Sequence, residues 1–171
     1  GDARVLRTAP RVLEALPSIE PCTNPTALEA TVPLPEDAAE VAEIESLRRV
    51  LHRVGNLRVA LQFERSEALL NQHAPRFEAV SYPPLTAAHA TALGQVHLGP
   101  GREPERAREH LERAYTIAVE HGMYDVAVRN AIALMQMYVA KSLQIDDAEF
   151  WAMHALGMAD ASRSDTSRAL V

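Results

Sequence analysis

Residues 93 to 155 carry one pattern twice, 41 residues apart: Leu93, Ala107, Leu111 and Ala114 recur as Leu134, Ala148, Ala152 and Ala155, and His97 recurs as Tyr138. A fixed period of roughly 20–50 residues, with small side chains at fixed offsets, marks a helical-repeat chain. Each unit is a pair of helices that cannot bury its apolar face alone, so neighbouring pairs must stack. Stacked pairs curve and offer a concave surface to another chain. The expected fold is therefore all-α, a solenoid of antiparallel helical hairpins.

The composition suits that architecture. Of 171 residues, 47% are apolar and only 5% aromatic, as close helix contact through Ala and Leu requires. The formal net charge of −6 argues against nucleic acid as a partner, since phosphate binding needs a basic surface. No apolar run approaches the roughly 18 residues of a membrane span, so direct insertion of this segment is not expected. Position 1 is Gly and no signal-peptide pattern follows, so Gly1-Asp2 reads as a cut or processed end.

The hydrophobic spacing places the elements. Val5, Leu6, Ala9, Val12, Leu13 and Leu16 predict a short helix over 3–16, weakened by Pro10, and the prolines of 17–35 make a lead-in. Repeat pairs are expected over 36–73, 83–122 and 124–161. Within the first pair, a helix from about Glu36 to Val54 should turn at Gly55-Asn56, and its partner should run from Leu57 to about His73, before Pro75. Pro83-Pro84 opens the fourth helix and Gly99-Pro100-Gly101 stops it. The fifth runs from Glu103 to His121 with Gly122 as its cap, the sixth from Asp125 to about Ser142, and Asp146 caps the seventh. The period sets a further helix start near 165, at Ser164-Asp165-Thr166, so the chain is expected to stop inside a further repeat over 165–171.

Catalytic chemistry finds little footing. The seven histidines include no pair at zinc-helix spacing with a Glu, and His97 stands where the repeat places a core side chain. The carboxylates alternate with Arg on exposed faces, with no pair set apart as acid and base. Met135, Met137, Met153 and Met158 read as gap-filling core residues or, alternatively, as a Met-lined groove. No cofactor motif, metal set or catalytic residue is expected. Cys22 is the only cysteine, so an internal disulfide is impossible, and it reads as a small buried apolar side chain.

Leu93-Gly94, His97, Ala107, Leu111 and Ala114 resemble the tetratricopeptide repeat, which sets Leu-Gly, an aromatic, Ala, a large apolar residue and Ala at nearly these offsets. The second copy departs from it, with Met135 in place of Gly and Ala152 in place of the large residue, and the period is 41 residues rather than the family's 34. The resemblance implies a right-handed stack in which the first helix of each pair lines the concave face. Carried over by repeat position, that face holds Glu45, Arg49 and His52, then Thr91 and Gln95, then Arg129, Asn130, Ile132 and Gln136. The implied partner is a protein or peptide.

A second stretch is more specific: Ala15-Leu16-Pro17, Cys22-Thr23, Leu28, then Val32-Pro33-Leu34-Pro35-Glu36-Asp37 and an arginine-rich helix ending in Gly55-Asn56. Over residues 3 to 73 it is similar to the segment that opens the tetratricopeptide region of large bacterial serine/threonine protein kinases, of the kind abundant in myxobacteria. That resemblance implies a sensor or interaction module C-terminal to a kinase domain, often beyond a single membrane helix, on a side of the membrane it leaves open. The kinase motifs themselves are absent, so this segment is expected to be non-catalytic. If it lies outside the cytoplasm, the resemblance further implies pairing of Cys22 with an upstream cysteine. The competing expectation is a helical-repeat scaffold with no attached kinase, self-associating through exposed end faces.

Overall fold

The computed structural model describes residues 32–99, 103–140 and 145–162, all within the unit Val32–Val171. The expected helix over 3–16, most of the proline-rich lead-in, Cys22 and the start of a further repeat at 165–171 lie outside the described residues. Among those described, all regular structure is helical: α1 (Ala38–Val59), α2 (Phe63–Ala79), α3 (Pro83–His97), α4 (Pro104–Glu120), α5 (Tyr124–Ala140) and α6 (Ile145–Ser162). Helices adjacent in sequence pack on one another throughout, and the odd-numbered helices also meet, α1 with α3 and α3 with α5.

Local chemistry sets most helix ends. Asp37 caps α1, its carboxylate accepting from the Ala39 amide at 2.8 Å. Pro83 sits at the first position of α3 and Pro104 at that of α4, where a missing N–H costs nothing. At the end of α4, Gly122 adopts φ +67°, and the Met123 amide reaches back to the Ala118 carbonyl at 2.8 Å. This is the left-handed closure that favours glycine. Asp146 falls inside the first turn of α6, which already begins at Ile145.

The first hairpin departs from the sequence expectation at two places. Helix α1 runs through Gly55-Asn56 to Val59, and the chain turns at Leu61 instead, with φ +59° and the Gln62 amide closing on the Leu57 carbonyl at 2.9 Å. A glycine inside a helix costs only about 1 kcal/mol relative to Ala, and the extra turn gives Leu57 a place against α2. Helix α2 does not stop before Pro75 but includes it and continues to Ala79. The turn beyond Pro75 is anchored from outside the helix. Phe77 is buried with Ile44, Leu47 and Leu85, and the Arg76 guanidinium forks onto the Glu43 carboxylate at 2.7 and 2.8 Å and onto the Ser46 hydroxyl at 2.9 Å.

The second and third hairpins show what the repeat does. A Cβ on Gly94 would lie 2.6 Å from Leu111 Cγ and 3.2 Å from the Ala107 carbonyl oxygen, so α3 and α4 make contact where the sequence pairs a glycine with a leucine. One period on, the sizes are exchanged. Met135 stands at the glycine position and Ala152 at the leucine position, and Met135 packs on the core formed by Leu134, Ala148, Trp151 and Ala155. The sequence thus keeps one large and one small residue at the paired positions while the side that carries the bulk changes. Tyr115 joins α4 to this core, its hydroxyl 2.7 Å from His154 Nδ1 and its ring edge-on to Trp151.

Candidate functional site

The contact of α1, α3 and α5 leaves a depression of about 230 Å³. Helix α1 lines it with Leu51, Val54, Gly55 and Arg58, α3 with Pro84, Ala88, Thr91, Ala92 and Gln95, and α5 with Val126 and Arg129. The small residues Gly55, Ala88 and Ala92 keep the floor open. Nothing lies within 4 Å of the position a Gly55 Cβ would occupy.

The structure thus brings together three of the residues expected on the concave face: Thr91, Gln95 and Arg129. Gln136 is exposed two helical turns beyond Arg129 on the same helix, outside the depression. The others are placed elsewhere. Glu45 is tied to Arg48 at 2.7 Å, and neither it nor the exposed Arg49 and His52 lines the depression. At 100° per residue, the stripe of 45, 49 and 52 lies roughly 120° around α1 from that of 51, 55 and 58. Ile132 is half-buried against the core of α4, α5 and α6.

Asn130 is 1% exposed and lies below the groove rather than in it. Its Nδ2 donates to the Val126 carbonyl at 2.8 Å, and its Oδ1 faces the Thr91 hydroxyl at 3.1 Å. That hydroxyl also lies 2.9 Å from the Ala87 carbonyl, and its single proton serves one acceptor at a time. This part-buried polar pair joins α3 to α5 beside the groove floor.

Arg58 is the charged lining residue absent from the concave face as read from sequence. Reading Gly55-Asn56 as a turn assigned it to the next helix, whereas the continuous α1 carries it to the groove opposite Arg129. Among the described residues, no carboxylate lines the depression and neither guanidinium is held in an ion pair. Two cationic forks above an apolar floor, with the Gln95 amide beside them, can hold an anionic group that follows an apolar segment.

The histidines form a separate feature behind this face. His89 stacks on Phe77 with ring centroids 4.0 Å apart, and its Nε2 is buried without a hydrogen-bond partner among the described residues. Burial, then the nearby His110 and Arg113, pull its pKa down from 6.5 to about 4. His97 is buried and stacks on His110 at 5.7 Å, and burial chiefly also lowers the His110 pKa. Among the described residues, no group of three His, Cys, Asp or Glu is placed to hold a metal, and no helix is long and apolar enough to cross a membrane. Compared with protein-family models, curated proteins and solved structures, the chain matches none of them.

Proposed function

We propose that this chain is a protein-recognition module whose α1–α3–α5 groove takes an extended or helical segment of a partner, with an acidic side chain or carboxylate between Arg58 and Arg129. The observation that carries the reading is the convergence of Thr91, Gln95, Arg129 and Arg58 from three helices on one depression that no carboxylate lines among the described residues. In this proposal the three hairpins are a right-handed tetratricopeptide-like stack, and the groove is its concave face. The resemblance of residues 3 to 73 to the kinase junction adds that the module follows a bacterial serine/threonine kinase domain, where partner docking would cluster the kinases.

Selection of random peptides against the chain tests the recognition step. Enriched peptides should share an acidic residue beside apolar ones, and Arg58→Ala with Arg129→Ala should weaken their binding by about tenfold or more. Undiminished binding to the double variant would remove the groove from the account. Mass mapping of the native chain tests the attachment: kinase-motif peptides upstream of this segment support it, and a native chain without them refutes it.

A further inference from the structure

Two surfaces that share no lining residue with the recognition groove are complementary to each other. Helix α6 presents Phe150, Met153 and Leu156 outward, at 51%, 66% and 52% exposure. The same helix carries four carboxylates, Asp146, Asp147, Glu149 and Asp160, and no Lys or Arg. The result is an apolar ridge in an acidic setting, on a helix that packs against α5. A contiguous exposed apolar ridge of this kind marks an interaction surface.

The hairpin at the other end of the helix order carries the counterpart. Between α1 and α2 lies a depression of about 210 Å³ with Leu57, Ala68 and Leu69 in its walls and Arg53 and Arg65 at its margin. Among the described residues, no carboxylate lines it. Its size admits one or two large apolar side chains, and its margin matches the charge that flanks the α6 ridge.

We propose that copies of this chain associate head to tail, the α6 ridge of one copy seating in the α1–α2 groove of the next. Met153 and its neighbours enter the groove, and Glu149 and Asp146 meet Arg53 and Arg65. The alternative self-contact, ridge against ridge, would set the carboxylates of two α6 helices against each other, an arrangement that like-charge repulsion disfavours. A groove at one end and a ridge at the other make a heterologous contact, which propagates into open chains unless the rotation closes a ring. This surface is distinct from the α1–α3–α5 groove, so either proposal can fail without the other.

Sedimentation velocity of the 171-residue chain, from about 1 to about 500 µM, tests the idea. The mean mass should rise with concentration, and less so in about 0.5 M salt. Met153→Asp disables the ridge, and Arg53→Glu with Arg65→Glu disables the groove. Ala68→Glu, on the exposed groove wall, is the second groove variant should the double change unfold the hairpin by circular dichroism. Each variant alone should remain monomeric. Mixed, they should form a one-to-one dimer and nothing larger, because one intact ridge and one intact groove remain. A wild-type chain monomeric across the range overturns the proposal. So does a groove variant that still associates, since that is ridge-against-ridge contact, or a mixture that stays monomeric.

Discussion

Gly94→Ala is the smallest change that probes how the second hairpin is held together. The added methyl carbon would sit 2.6 Å from Leu111 Cγ, 2.7 Å from Leu111 Cδ2 and 3.2 Å from the Ala107 carbonyl oxygen. Leu111 is fully buried, and the first contact is its branch carbon rather than a flexible tip. The backbone of α4 must therefore move, or Leu111 must leave its rotamer. An overlap this deep on a branch carbon falls in the upper part of the usual overpacking range, about 2–3 kcal/mol, whereas replacing a mid-helix glycine by alanine returns about 1 kcal/mol of helix propensity. The net expectation is a loss of about 1–2 kcal/mol, a fall in Tm of roughly 3 to 8 °C. Leu111→Ala alone opens a cavity and costs about 2–5 kcal/mol. In the double variant the new methyl no longer meets a leucine, so the two costs should fall short of their sum by at least about 1 kcal/mol in denaturant titration. Gly94→Met with Leu111→Ala copies the size arrangement of Met135 and Ala152, and should recover more stability than Gly94→Ala with Leu111→Ala. A neutral or stabilising Gly94→Ala, or strictly additive costs, would refute this account of the helix contact.

Three further outcomes are expected. His89 has a folded pKa of about 4 against 6.5 in its ordinary state, so the unfolded chain takes up a proton first as pH falls. Stability should therefore decline from about pH 6.5 down to about pH 4, by up to roughly 2 kcal/mol after solvent screening of this part-exposed ring. His89→Phe should flatten that part of the urea-midpoint profile, and an unchanged slope would contradict the assignment. The Arg76 hydrogen bond holds the Glu43 carboxyl below its ordinary 4.5, so its contribution is in place above that pH and fades below it. Both side chains are more than a third exposed, so Glu43→Gln should cost less than about 1 kcal/mol at neutral pH and nothing in acid, by thermal melts at the two pH values. Leu61, 73% exposed at φ +59°, holds a backbone conformation that glycine adopts without strain. Leu61→Gly should raise stability by about 0.5–1 kcal/mol, and a lower Tm would mean that its side chain makes contacts that matter.

The helical character and the pairing of helices were legible because period and small-residue spacing are properties of the chain itself. The structure bears this out in six helices among the described residues, packed in sequence order. Boundaries were less legible where long-range contacts outweigh local signals. Pro75 is a breaker by local rules, yet Phe77 and Arg76 are held by α1 strongly enough to carry the helix past it. Gly55 looks like a stop, but nothing local reveals that Leu61 will take the left-handed turn. That one misplaced boundary assigned Arg58 to the next helix and away from the depression that it lines. Thr91, Gln95 and Arg129 line one depression together, their register resting on the better-marked second and third hairpins. Asn130 was drawn to the right interface, but one helical position (100° of rotation) separates the groove from the buried contact with Thr91.

The most direct test of the recognition account is an amide-resolved NMR titration of the chain with a selected acidic peptide. Shifts should concentrate at Gly55, Arg58, Thr91, Gln95, Val126 and Arg129, the positions that line one depression across three helices. Perturbations confined to α6 or to the outer faces of α1 and α2, with the α1–α3–α5 groove silent, would contradict it.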